Sequence, residues 1–258
     1  MKTLVIANQK GGVGKTSLLV HLAHDFLERG LRVAAIDLDT QANASFTLHP
    51  YRSGVQASAL FTGVQPNQLP QITEANATGD GVLHLIEADT HLADMEKMPL
   101  REVGANFRRA IKALNTARFD VCLIDTAPSL GNTMAAALLA ADYVVSPIEL
   151  EAYSIQGIKK MVMAIANLRN ANPRLNFLGM IPSKVDARNP RHERHLKELA
   201  GAYPQLMIPG GIGLRSSIAE ALATGVPVWK IKKTAARKAA KEMRAFANHV
   251  YTTMEVSN

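Results

Sequence analysis

Lys10-Gly11-Gly12-Val13-Gly14-Lys15-Thr16-Ser17 is the stretch whose reading decides the fold. Ahead of it runs the apolar tetrad Leu4-Val5-Ile6-Ala7, and behind it Leu18, Leu19, Leu22 and Phe26 recur at helical spacing. A strand, a glycine-rich turn and a helix in that order make a phosphate cradle. Glycines 11, 12 and 14 let the backbone aim consecutive N–H groups inward, with the positive end of the helix behind them. Lys15 is then placed to reach the β- and γ-phosphates, and the Thr16 hydroxyl to take a magnesium position. The whole run 11–17, Val13 and Ser17 included, is the candidate nucleotide loop. The usual spacing asks for a glycine five residues before Gly14. Gln9 stands there instead, and a second lysine, Lys10, opens the loop. The plain alternative is a glycine-rich surface turn with solvated lysines.

Around this loop the chain has 258 residues, 47% hydrophobic and 20% charged, which suits one large α/β unit with a buried core. No linker, repeat or low-complexity tract breaks it, so the expectation is a single domain over 1–258. No apolar run approaches the ~20 residues that cross a bilayer, and the chain enters a strand at once. A cytoplasmic location is therefore expected. The one cysteine, Cys122, lies inside an apolar run and reads as a small core residue.

Working outward, the helix from about residue 15 to 29 should stop at Gly30, and Arg32–Asp37 should form the next strand, parallel to the first. Asp37 and Asp39 fall at its carboxyl end, the edge at which open α/β sheets place ligands. Two acids there also serve commonly as helix caps. Residues 50–80 interleave Gly, Pro, Gln, Asn and Thr and read as surface connection, with a short amphipathic piece at 57–62. Residues 83–88 read as a strand and 102–117 as a helix burying Phe107, Ile111 and Leu114. Phe119–Asp125 is a buried strand ending in a carboxylate, which can hold a magnesium-bound water opposite Thr16; a turn-capping Asp is the alternative. Residues 142–148 form a further strand, and the helix after Ser154 should face Ile158, Met161, Val162 and Ile165 inward. Strands at 177–182 and 206–209 complete a mostly parallel, doubly wound sheet with helices on both faces.

The net charge of +7 is concentrated. Lys230, Lys232, Lys233, Arg237, Lys238, Lys241 and Arg244 face only Glu242, a local +6, and the remainder of the chain carries +1. A nearly neutral body with one basic segment fits a polyanion. From Thr234 apolar residues recur every three or four places, with Arg237, Lys238, Lys241 and Arg244 on the opposite face, so 230–254 reads as a basic C-terminal helix packed on the domain. Contact with DNA phosphates, a membrane-surface helix and a merely solvated face compete. The apolar side is mostly alanine, which argues against lipid insertion. Clustered Lys and Arg without base-reading residues suit non-specific DNA, and Arg215 can extend that surface. No helix-turn-helix precedes the first strand, so operator reading within this chain is not expected.

Lys-Gly-Gly-x-Gly-Lys-Thr resembles the deviant Walker A loop of the ParA/MinD family of ATPases, most closely the short ParA-type partition ATPases. The likeness runs from residue 3 to about 230. It implies a P-loop ATPase that binds ATP and Mg²⁺, with Lys10 reaching across a two-fold interface to the other subunit's ATP, hence a homodimer formed around nucleotide. Asp37-Leu38-Asp39-Thr40-Gln41-Ala42-Asn43 resembles the family's switch I. By that match Asp39 positions the attacking water and Asp37 supports the magnesium shell. Thr126–Leu130 resembles switch II after the Walker B Asp125. Ser183-Lys184-Val185-Asp186 superficially resembles the GTPase base reader, but the family binds adenine, with Lys184 and Pro209 as candidates for its pocket. The family further implies slow, switch-type hydrolysis, DNA released on hydrolysis, nucleoid association and a ParB-type adaptor that binds a centromere-like site. Other readings are a ParA-like ATPase that positions a protein cargo, a Min-type membrane-associated ATPase, and a small-molecule enzyme on the same scaffold.

Overall fold

The computed structural model describes residues 1–73, 81–150, 163 and 166–256. The strands are β1 (Lys2–Ile6), β2 (Arg32–Leu38), β3 (Arg52–Gln56), β4 (Val82–Glu87), β5 (Val121–Thr126), β6 (Tyr143–Glu149) and β7 (Asn176–Ser183). They join in one sheet in the order β3-β4-β2-β5-β1-β6-β7, and every recorded pairing is parallel. This is the expected doubly wound P-loop sheet.

The described helices that matter to the site are α1 (Lys15–Glu28), α2 (Asn43–Thr47), α3 (Ala59–Thr62), α4 (Leu92–Met95), α5 (Leu100–Thr116), α6 (Asn132–Ala140), α7 (Pro190–Ala202), α8 (Ser216–Ala223) and α9 (Ala236–Thr253). A parallel sheet must be covered on both faces, because its strands are apolar throughout. On one face Leu18, Leu22 and Phe26 of α1 pack with Met243, Phe246 and Val250 of α9. On the other, Phe107 and Leu114 of α5 pack with Met134 and Leu138 of α6, and Cys122 is fully buried there as expected. α1 ends as its sequence requires. Gly30 takes φ 82°, its N–H bonds Leu27 O, and the Leu31 N–H reaches back to Phe26 O, which satisfies the last carbonyls of the helix.

The parallel register sets the functional edge. Asp37 of β2 stands beside Asp125 of β5, Asp125 beside Ile6 of β1, and Glu149 of β6 beside Ser183 of β7. All these residues lie at carboxyl ends, so the acids of neighbouring strands converge around the loop that leaves β1.

Two expectations need correction. Residues 52–56 form the edge strand β3 rather than surface connection. Arg52-Ser53-Gly54-Val55-Gln56 carries no apolar run because an edge strand is covered on one side only. Leu206–Pro209 is not a strand: a single bridge joins Met207 to Met180 after a 3-10 turn at Pro204–Leu206. Pro204 and Pro209 bracket the segment and cannot donate to a ladder. The nine-residue α6, not foreseen from the sequence, follows the stretch after Asp125. The helix expected to bury Ile158, Met161, Val162 and Ile165 lies outside the described residues.

Candidate nucleotide site

Gly14 is the N-cap of α1 in the left-handed region, φ 98°, and Gly12 has φ 73°. A Cβ at Gly14 would also stand 2.9 Å from Ser183 Oγ, so both backbone angle and space demand glycine here. The loop is held from below by Asn8. Its amide donates to Pro147 O (2.7 Å) and Ser146 Oγ (3.2 Å) on β6, and its oxygen accepts the Lys10 N–H (2.9 Å). Asn8 was not foreseen, although its place between strand and loop marked it.

The buried Lys15 lies across the loop, its Nζ donating to Asn8 O (3.1 Å) and Lys10 O (3.2 Å). Burial pulls its ammonium below the ordinary lysine value, against the opposing charges of Asp125 and Asp39. Both loop carbonyls can surrender it to phosphate oxygens, which offer charge as well as hydrogen bonds.

Beside it, the Thr16 hydroxyl donates to Asp125 Oδ2 at 2.6 Å. Asp125 is fully buried; burial, and after it the Asp37 carboxylate, push its carboxyl up to about 8. Asp37 is raised too, first by burial, though Ser45 donates both its N–H and its hydroxyl to Oδ2 (2.8 Å each) and the Asp39 N–H reaches Oδ1 (3.1 Å). Two neighbouring buried carboxyls and a hydroxyl make a place where a cation relieves a standing electrostatic cost. Among the described residues no three His, Cys, Asp or Glu side chains form a metal cage. Mg²⁺ takes one or two protein oxygens and fills its octahedron with phosphate and water, so Thr16 and Asp125 fit it. Asp37 is already engaged by Ser45, whereas Asp125 is in contact with Thr16.

Above these groups opens a cavity of about 440 Å³ lined by Gly12, Gly14, Thr16, Asp39 and Lys184, with an apolar wall that includes Ile212 and Met243. Phe46 and Leu214, 73% and 60% exposed, flank it. Neither was foreseen, since an isolated apolar residue in a loop carries no periodic signal. Asp39 is partly exposed at this cavity and accepts the Gln41 N–H (3.0 Å). Pro209 does not line it: it belongs to a separate depression beside Gly210 and Lys238. Of the two adenine-pocket candidates the structure brings only Lys184 to the loop. Asp186 turns away as well, held by the Arg188 N–H (3.0 Å) and guanidinium (3.1 Å), so the segment does not present a GTPase-type base reader. Lys10 points to its own subunit's Glu149, at 2.6 Å.

The basic segment divides. Lys232, Arg237, Lys238 and Lys241 are exposed and, among the described residues, form no ion pair. Lys233 pairs with Glu220 (2.7 Å) and Lys230 with Glu28 (3.6 Å). Two candidates are drawn inward. Arg215 is held by Glu242 (2.7 Å), and Arg244 pairs with Asp25 and Glu28 beneath α9. Of the eight candidates these two have their guanidinium groups paired with neighbouring acids, Glu242 on α9 and Asp25 and Glu28 on α1.

Residues 1–177 match the AAA domain family. Protein IncC of Escherichia coli is 65% identical over 260 residues, covering all of this chain and 71% of IncC. Chromosome partitioning protein ParA of Caulobacter vibrioides is 31% identical, over 88% of this chain and 86% of ParA. This chain belongs to the ParA/MinD family of ATPases. As a ParA-type partition ATPase it binds and hydrolyses ATP with Mg²⁺. Solved structures share its fold, among them two that carry nucleotide. Cobyrinic acid a,c-diamide synthase from Mycobacterium smegmatis with bound ADP and magnesium superposes with TM-score 0.77 at 27% identity, over 99% of this chain and 96% of that one. The ATP complex of a singly substituted McdA from Cyanothece gives TM-score 0.79 at 22% identity, over 100% and 98%. No described helix is long and apolar enough to cross a membrane. The phosphate loop and the partly exposed Asp39 line this cavity, and the buried Asp125 lies behind Thr16.

Proposed function

We propose that this chain acts as one ATPase unit, residues 1–258, that holds DNA only as an ATP-bound homodimer. The supporting observation is the continuity of α1. Its first residues, Lys15 and Thr16, belong to the phosphate loop, and near its other end Asp25 and Glu28 hold Arg244 of the basic helix α9. One rigid element thus joins nucleotide and basic surface.

In this reading the loop N–H groups and Lys15 bind the phosphates, and Thr16 and Asp125 hold the metal site with Asp37 behind them. Bound Mg²⁺ neutralises charge between the phosphate oxygens. Lys10 crosses to the partner's nucleotide, and Asp39 orients the attacking water. Lys232, Arg237, Lys238 and Lys241, with Lys230 and Lys233 beside them, touch DNA phosphates without reading bases. Pairing doubles these contacts, and since log affinity follows the number of phosphates neutralised, two modest patches together bind far more tightly. Hydrolysis, stimulated by a ParB-type adaptor, separates the subunits and frees the DNA. The working place is the cytoplasm, at the nucleoid.

The test is fluorescence anisotropy on random-sequence duplex DNA with ATP, ADP or no nucleotide, across a salt series. Binding with ATP alone that weakens steeply with salt is expected. Equal binding in all three states would break the link between nucleotide and basic surface. No binding in any state would turn the reading toward a protein cargo or a small-molecule substrate.

A further inference from the structure

Glu149 closes β6, and its two carboxylate oxygens hold two different lysines. Oε2 meets Lys10 Nζ at 2.6 Å and Oε1 meets Lys184 Nζ at 3.3 Å. The carboxylate is 16% exposed, the lysines 46% and 45%. Both lysines belong to the nucleotide site. Lys10 opens the loop, and Lys184 Nζ comes within 3.7 Å of where a Cβ on Gly12 would lie. Burial pushes the Glu149 carboxyl up, but the two lysines outweigh it and hold the group below the ordinary glutamate value, so it is charged at neutral pH.

We propose that Glu149 is a positioning residue that keeps Lys10 on its own subunit, so that dimer formation is an exchange of the Lys10 partner from carboxylate to the facing subunit's phosphate. This rests on the reading of Lys10 as the lysine that acts across the interface. The exchange gives the nucleotide a threshold to exceed. A facing ATP offers a γ-phosphate whose charge replaces that of Glu149, whereas ADP offers less and leaves Lys10 where it is. Glu149 therefore sets a cost on any pairing in which Lys10 crosses, a cost that ATP exceeds and ADP does not. A partly exposed lysine–carboxylate pair is worth up to roughly a fivefold change in an equilibrium constant. Two such pairs open per dimer, so the effect on dimerisation is about tenfold or somewhat more.

The test compares wild type, Glu149→Gln and Lys10→Ala by sedimentation with ADP and with a non-hydrolysable ATP analogue. The expected result is that Glu149→Gln halves its monomer population at about tenfold lower protein concentration with the ATP analogue. It should also begin to pair with ADP. A merely structural glutamate would not tighten pairing when substituted. If Lys10→Ala abolishes pairing while Glu149→Gln pairs no better than wild type, the proposal for Glu149 is overturned and the role of Lys10 stands. If Lys10→Ala pairs as well as wild type, the reading of Lys10 falls, and the exchange with it. A second readout needs no variant: acylation of lysines in the nucleotide-free protein, followed by mass spectrometry. Lys10 should react several-fold more slowly than the exposed Lys232, and equal rates would overturn the proposal.

Discussion

Arg244 lies over the face of Trp229, its guanidinium carbon 3.7 Å from the ring centroid, while its nitrogens pair with Asp25 and Glu28 of α1. Trp229 in turn donates its indole N–H to Glu28 (3.0 Å). The arginine that spacing assigns to the basic face of α9 is therefore its anchor to the nucleotide-binding helix. Arg244→Ala removes the stacked cation and leaves the buried Asp25 with Arg29 alone (2.6 Å). The expected cost is about 2 kcal/mol of unfolding free energy, read as a lowered urea midpoint. DNA affinity should fall mainly by loss of its ATP dependence rather than by a uniform drop.

Lys232, Arg237, Lys238 and Lys241 should behave in the opposite way. Each is exposed, so alanine there leaves the unfolding midpoint within about 0.5 kcal/mol of wild type. DNA binding weakens, and the slope of log affinity against log salt becomes shallower by roughly 0.9 for each phosphate that is no longer neutralised. A variant that loses affinity with an unchanged slope would place the DNA elsewhere.

Lys15 and Asp39 should separate binding from turnover. Lys15→Ala removes the ammonium that bridges the loop and is expected to abolish ATP binding in a filter or calorimetric assay. Asp39 accepts the Gln41 N–H from its own loop and faces the cavity, so Asp39→Ala should keep ATP and lose hydrolysis by about a hundredfold or more. DNA dissociation after dilution should then slow to match. A variant that leaves DNA as fast as wild type would remove Asp39 from the catalytic role.

The phosphate loop, α1 and the acid-tipped β5 were legible because each couples a local period to residue types that chemistry dictates. Glu149 was within reach by the logic applied to Asp37 and Asp125, since it too ends an apolar strand. What no local pattern holds is its partners, Lys10 on one side and Lys184 on the other. The same limit explains the basic helix. Spacing puts Arg244 and Lys241 on one arc, but their difference lies in Asp25, 219 residues away, which only the fold brings beneath Arg244. β3 was missed for a different reason. An edge strand with Gly54 at its centre and few apolar residues looks like a loop until β4 pairs with it.

Gly14→Ala tests the loop's geometry. The substitution must adopt φ near 98° and places a methyl 2.9 Å from Ser183 Oγ. The left-handed backbone alone costs about 1 to 2 kcal/mol for a residue with a Cβ. The expected outcome is a modest fall in the unfolding midpoint with a large loss of nucleotide affinity. Adding Ser183→Ala relieves the crowding and not the backbone, so affinity should recover only in small part. Full recovery would show that crowding, and not the backbone angle, makes glycine necessary.

His21 carries the last prediction. It sits inside α1 with Nδ1 against Ser17 O (2.7 Å) and Nε2 accepting the Val228 N–H (3.1 Å), an arrangement that requires the neutral ring with its proton on Nδ1. Burial lowers it to about 4, and neighbouring His24 is likewise lowered to about 4, first by burial and then by the charges of His21 and Lys230. In the unfolded chain both titrate near about 6.5. Between about pH 6.5 and 4 the unfolded state thus binds protons that the folded state refuses, and stability falls as the pH is lowered through that window. Asp125, raised to about 8, acts in the opposite sense, because the folded state keeps its proton where the unfolded one has lost it. The histidine contribution is therefore read from wild type against His21→Gln. The variant should be less stable at about pH 7.5, having lost a fitted ring between α1 and Val228. On moving to about pH 5, wild type should lose about 1 to 2 kcal/mol relative to it, measured by urea unfolding at each pH. Parallel stability curves for the two proteins would mean that His21 takes up its proton in the fold as readily as in the unfolded chain.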